Sequence, residues 1–209
     1  MESRRRDIAT LDRVAGDPAL DFANTLGGAR DGPWDDEWLL DYGDVVAWAR
    51  HAVVLDEGAA RRLLRAAATR PDEAAAAHAR ALALRERVHR AMAAMADRAA
   101  PPAADLAALR DVHRDALAHA ALVTRGARLE WAYDAGDDLD RPLWPVAEAA
   151  IDLLRSDRLA RLKQCANCRW LFLDASRNAS RRWCSMAHCG FGAKVRRTRD
   201  RRRRARRTP

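Results

Sequence analysis

Before residue 165 and after residue 189 this 209-residue chain contains no cysteine. Disulfides therefore cannot staple most of the molecule, and the segment 1–160, long enough to bury a core of its own, must fold by apolar packing. No stretch approaches 18 uninterrupted apolar residues, which excludes a membrane-spanning helix. The opening Met1-Glu2-Ser3-Arg4-Arg5-Arg6-Asp7 is followed by no apolar h-region, so it does not read as a secretory signal, and the expected location is the cytoplasm. Catalytic signatures are missing as well. There is no H-E-x-x-H, phosphate loop or G-x-S-x-G, and His113 and His119, six residues apart, cannot share a helix face as paired metal ligands. The expectation is that the chain is not an enzyme. Acids are scarce at one end only. Residues 161–209 hold Asp174 and Asp200 against 16 Lys and Arg, a net of +14, which leaves −6 on the segment 1–160 within the overall +8. Such asymmetry points to a polyanion partner for the basic part, nucleic acid first and an anionic surface second.

The four cysteines that are present, Cys165, Cys168, Cys184 and Cys189, have the spacing C-x2-C-x15-C-x4-C. Two close pairs joined by a linker of this length, supplying four thiolates, suit one closed tetrahedral structural Zn²⁺. A module of about 45 residues needs such a staple to stay folded. Two disulfides or a redox Cys165-x-x-Cys168 are the competing readings; the first belongs to exported chains, and the second gives no reason for a further pair. His188 adjoins Cys189, but neighbouring residues seldom both reach one metal.

The segment 1–160 reads as mainly helical with a small β-hairpin. Gly16-Asp17-Pro18 opens a short segment whose Leu20, Phe22, Ala23 and Leu26 fall at helical spacing, and Gly27-Gly28 ends it. Helices are predicted over 41–51, from an N-cap at Asp56 to Thr69, and from Pro71 to Asp97 with the stripe Leu84, Val88, Met92, Met95. After Pro101-Pro102 a second long helix is expected over 103–123, carrying Leu106, Leu109, Val112, Ala116, Ala120 and Val123, antiparallel to the first. Residues 128–133 alternate as a strand, with 13–15 as candidate partner. One or two helices over 143–162, broken at Ser156, deliver the chain to Cys165. Trp34, Trp38, Trp48, Trp131 and Trp144 are expected in the core. Asp21, Asn24 and Thr25 are candidate polar groups for a ligand pocket, with helix capping as their alternative role.

In the C-terminal part, Cys165-Ala-Asn-Cys168 reads as a knuckle, 169–174 as a strand, 176–180 as a turn, 181–183 as the returning strand, and Cys184-Ser185-Met186 as a helix start, which puts the last two thiolates near a helix N-terminus. That is the layout of a treble-clef-like Cys₄ finger, an α+β module.

The run Cys165-x-x-Cys168-x-Trp170-Leu-Phe-Leu-Asp174-x-Ser176-Arg177-Asn178-x-Ser180-Arg181-Arg182-Trp183-Cys184-Ser185-Met186-x-x-Cys189-Gly190 strongly resembles the C-terminal finger of the CGNR zinc-finger proteins. Gly16-Asp17-Pro18-Ala-Leu-Asp21-Phe22-Ala-Asn24-Thr25 resembles the opening of the helical ABATE domain that precedes it in that family. The resemblance covers nearly the whole chain and divides it into 1–160, 161–195 and an Arg-rich tail, 196–209. It implies a stress-associated bacterial transcription regulator whose finger binds DNA, nucleoid-associated when bound. One departure stands out: where the family reads Cys-Gly-Asn-Arg, this chain has Cys189-Gly190-Phe191-Gly192. That loses a guanidinium suited to phosphate or a base edge.

Candidate nucleic-acid contacts are Arg177, Arg181, Arg182, Lys194, Arg196, Arg197 and Arg199. Some of these cations have an alternative role, since a Cys₄ zinc centre carries a formal −2 that Arg181, Arg182 or Lys194 would balance. The leading expectation is a zinc-dependent DNA-binding regulator whose helical part senses a small molecule or protein. The alternative is a zinc-stabilised module for protein or RNA, with loose polyanion binding.

Overall fold

The computed structural model describes residues 6–133, 136–192 and 195. Local chemistry sets where the helices begin. Asp17 accepts from the Ala19 amide ahead of Pro18 and starts α1 (Pro18–Ala23). Asp41 and Asp56 cap α2 (Tyr42–His51) and α3 (Glu57–Thr69) by accepting from the amides of Asp44 and Ala59. Pro71 occupies the first turn of α4 (Pro71–Ala96), where its missing N–H would have been unpaired anyway. Pro102 precedes α5 (Ala103–Ala118), and Arg90 of α4 pairs with Asp105 at 2.6 Å, as an antiparallel return requires.

Leu84, Val88 and Met92 of the expected α4 stripe are buried, Met95 is partly buried against them, and Ala77 and Ala81 extend the face. They pack in one core with Leu20 and Phe22 of α1, Val45 and Trp48 of α2, Leu63 of α3 and Leu109 of α5. Val146 and Leu153 of α6 (Trp144–Arg155) complete it. Apart from Pro18 every residue of α1 is buried, so this short helix is an internal strut, with the Phe22 ring 4.7 Å from that of Trp48. Truncating a buried aromatic such as Phe22 to alanine costs about 3–5 kcal/mol.

Three expectations give way here. The helix after Pro101-Pro102 ends at Ala118, and residues 120–125 form β3 (Ala120–Arg125), paired antiparallel with β4 (Arg128–Tyr133) in the register Val123↔Glu130. The two-residue turn at Gly126, with φ +62°, closes this hairpin locally, so the partner of β4 is its neighbour and not 13–15. Leu106 is about one-third exposed, and Trp34 and Trp131 lie 50% and 40% exposed, outside the core that holds Trp48 and Trp144.

β1 (Leu26–Gly27) pairs with β2 (Asp36–Glu37), and the chain turns sharply at Gly28, where φ is +126° and a Cβ would meet the Pro33 carbonyl oxygen at 2.3 Å. Only glycine fits there. The turn presents the Gly28 carbonyl to the Arg169 amide at 3.3 Å, and Ala29 bridges to Cys168. As expected, α6 ends before Ser156; a 3₁₀ turn (Asp157–Arg161) follows and leads into β5 (Leu162–Gln164), antiparallel to β6 (Leu171–Leu173). Alternation then divides β6: Leu171 enters the helical core and Phe172 faces the cysteines.

Candidate metal centre and nucleic-acid interface

The knuckle Cys165–Cys168 lies at the turn between β5 and β6, closed by the Cys165 amide on the Trp170 carbonyl at 2.8 Å. The expected return strand at 181–183 is absent; β6 pairs with β5 instead, and 181–183 is held without a ladder, by the Ala166 amide on the Arg182 carbonyl at 2.9 Å and the Arg181 amide on Asp174 at 2.9 Å. Ser185 is the N-cap of a π-helical turn, Met186–Gly190, so Cys184 lies just ahead of a helix start and Cys189 inside its first turn.

These elements bring the four sulfurs within 4.8 Å of one another, with Cys168 and Cys184 at 3.6 Å. A tetrahedron with Zn–S of about 2.3 Å has S···S edges of about 3.8 Å, so the donor set and its size fit zinc. The Asn167 amide and side chain donate to Cys165 and Cys189 sulfurs at 3.4 and 3.5 Å, as thiolates require. Four thiolates this close repel one another, so a divalent cation among them is what lets all four ionise together. Two guanidiniums face the backbone of this negative centre: Arg181 on the Cys184 carbonyl, and Arg30 on the Cys165 carbonyl at 2.9 Å.

Arg181 is thus a correction to the expected nucleic-acid contacts. Its guanidinium turns inward onto the carbonyls of Val14, Trp183 and Cys184 and over the Phe172 ring at 4.3 Å, which is the charge-balancing role. Arg177 and Arg182 are exposed, Arg182 lying 5.4 Å over Trp183. Lys194, Arg196, Arg197 and Arg199 lie outside the described residues.

Asp21, Asn24 and Thr25 are buried, and each is tied to backbone. Asp21 accepts from the Ala15 amide at 3.1 Å, and Thr25 donates to the Phe22 carbonyl at 2.7 Å. The Asn24 side chain donates to the Leu171 carbonyl and accepts from its amide, both at 2.9 Å, splicing α1 to β6 across the sequence. Each of the three thus makes a hydrogen bond that orders the chain around α1.

Sequence reasoning missed two other residues. Asp174 is buried and accepts from Lys163 Nζ at 2.7 Å, from the hydroxyl and amide of Ser176 at 2.6 and 2.9 Å, and from the Arg181 amide at 2.9 Å. Burial would raise it, but these donors hold it well below the usual carboxylate range. It organises the loop between the cysteine pairs, and the Asp-x-Ser spacing of an Asx turn was the available signal. Arg169, next to Cys168, has no exposed surface. It pairs with Glu86 of α4 at 3.0 Å and lies 4.5 Å over Trp34, while its Nε and Nη1 lack partners among the described residues. Burial would raise Glu86 too, but Arg169 and Arg85 hold it down. No local pattern announces that pairing.

A cavity of about 380 Å³ opens between the two parts, walled by Leu11, Gly28 and Trp38 on one side and Trp170, Cys184 and His188 on the other.

A four-cysteine knuckle and helix turn, docked on a helical bundle, defines a zinc-finger protein with an attached helical domain. Comparison with known families agrees. The ABATE family, described as "Putative stress-induced transcription regulator", matches residues 16–157, and the CGNR zinc finger matches 161–202. The chain belongs to the ABATE family and carries a CGNR zinc finger at its C-terminal end. A search of curated proteins finds no match.

Proposed function

We propose that the chain is a zinc-dependent DNA-binding transcription regulator. The single observation that carries this reading is the Cys₄ centre set within a segment of net +14. Zinc folds the finger, Arg177 and Arg182 face outward, and the arginine-rich 196–209 segment supplies phosphate neutralisation. On this reading the chain binds and does not catalyse, works in the cytoplasm and joins the nucleoid when bound. The cavity between the helical part and the finger gives a small molecule a place to touch both, and so to bias how the finger meets DNA.

Gel-shift titrations across a salt series, with and without chelator, test the reading. The expected result is tight binding at low salt, lost on chelation, with about six phosphate contacts giving on the order of a thousandfold weakening between low and physiological salt. Failure to bind any nucleic acid at low salt would sink it. Competition among duplex DNA, structured RNA and heparin separates a regulator, which favours particular duplexes, from a general polyanion binder.

A further inference from the structure

Met186 and Phe191 stand 67% and 65% exposed at the two ends of the turn that carries Cys189, among the largest apolar exposures on the described surface. The backbone explains why they lie together. The turn is π-helical, with the Gly190 amide on the Ser185 carbonyl at 3.0 Å and the Phe191 amide on the Met186 carbonyl. An i+5 to i bond places residues five apart side by side. Gly190 makes room between them: a Cβ there would lie 2.7 Å from the Met186 sulfur, so the thioether rests against the glycine that precedes Phe191. Met186 and Phe191 thus project from one turn, and the Phe191 ring contacts no other ring among the described residues.

The surroundings of this projection narrow its partner. It stands in the +14 segment, with exposed Arg177 and Arg182 in the same finger. An acidic protein would answer the charge. A nucleic acid answers both features, because its phosphates take the guanidiniums while the faces of its bases accept an aromatic ring or an apolar wedge. Hydrogen-bonding readout is not available to Phe191 or Gly192, so contact with bases here is by stacking.

We propose that Phe191, with Met186 beside it in the turn, is a base-stacking wedge: its ring packs on an unstacked base while arginines of the same basic segment hold the backbone. This inference rests on the nucleic-acid reading above. It makes the finger favour strands whose bases are already free, or duplexes with a mismatch or a flexible step, over a stiff intact duplex, with little dependence on which base is stacked.

The test uses the full-length zinc-loaded protein, with one zinc per chain verified in every variant as the control for folding. Binding is followed by anisotropy on intact, mismatched and single-stranded oligonucleotides over a salt series, and by quenching of 2-aminopurine placed in the strand. Phe191→Ala is expected to lose roughly 5- to 100-fold in affinity for single-stranded and mismatched forms. It should keep the wild-type salt slope, because no phosphate contact is removed. The quenching disappears in Phe191→Ala and persists in Phe191→Trp, and Met186→Ala gives a smaller loss of the same kind. If wild type binds with a steep salt slope and Phe191→Ala matches it in affinity and quenching, the wedge is refuted and the nucleic-acid reading stands. If wild type binds none of the three forms at low salt, both fall.

Discussion

In the helical part Trp48, Phe22, Leu63, Leu84 and Met92 are almost wholly buried in one continuous core, whereas the finger's own buried cluster is Cys165, Phe172, Cys184 and Cys189. Burying one large apolar side chain is worth about 1.5–3 kcal/mol, so the first set supports a fold and the second does not. Zinc is one remedy for the finger. Docking is the other: Leu162 and Leu171 lie in the helical core, Asn24 grips the Leu171 backbone, and Arg169 and the Gly28 turn join the knuckle to the first part. A small module can thus borrow a core through one face of a strand while its other face holds the metal. The helical part and the finger then share β6, and anything that shifts α1 or α4 is felt close to the cysteine sulfurs.

Removing the metal breaks this comparison most completely. Structural zinc contributes about 10–16 kcal/mol in small finger peptides, as much as a whole domain's stability. Cys184→Ser is therefore expected to abolish one-to-one zinc and the fixed environment of Trp170 and Trp183, seen in metal analysis and near-UV dichroism. Far-UV helicity should largely persist, because α1 to α6 lie within 18–155. Retention of one zinc per chain would show the ligand set to be wrong. Next comes the buried guanidinium. Arg169→Met leaves Glu86 with Arg85 alone at 3.2 Å and is expected to cost about 3 kcal/mol in denaturant unfolding, part of it recovered by Glu86→Leu in the same chain. Asn24→Ala, which strands the amide and carbonyl of Leu171, is expected to cost about 2–3 kcal/mol. An Asn24 variant as stable as wild type would mean that the finger does not lean on α1.

The parts of the molecule legible in its sequence are those written in short-range chemistry. Asp17-Pro18, Asp41, Asp56 and Pro71 announce helix starts because capping acts over two or three residues, and the cysteine spacing announces the metal because two of its links are tight turns. The end of α5 was hidden because Ala116, Ala120 and Val123 continue a helical stripe that the Gly126 turn overrides. Asn24 suggested a pocket because its partner lies 147 residues away. Arg181 read as a surface cation because nothing local shows that the Cys184 and Val14 carbonyls converge on it. In each case the residue type was right for a polar task, and the task was set by a distant segment.

The smallest expected effect tests the same seam by pH. His89 of α4 is buried with its Nε2 3.0 Å from the Arg169 carbonyl, so the neutral ring donates there. Burial first, and then the Arg169 charge, push it from 6.5 down to about 4. A histidine held below its unfolded value takes up a proton more readily in the unfolded chain, so the folded state loses stability as pH falls from 6.5 towards 4. Asp21 works in the opposite direction, since burial raises it to about 6 and its charge is relieved in the folded state as pH falls through that value. Wild-type stability should consequently change little between about pH 7.5 and 5.5, and His89→Gln should uncover the Asp21 contribution. Relative to the variant, wild type is expected to lose about 1 kcal/mol over that interval, measured by paired denaturant titrations of the zinc-loaded proteins. A difference that stays constant with pH would mean that His89 is not held neutral against the finger.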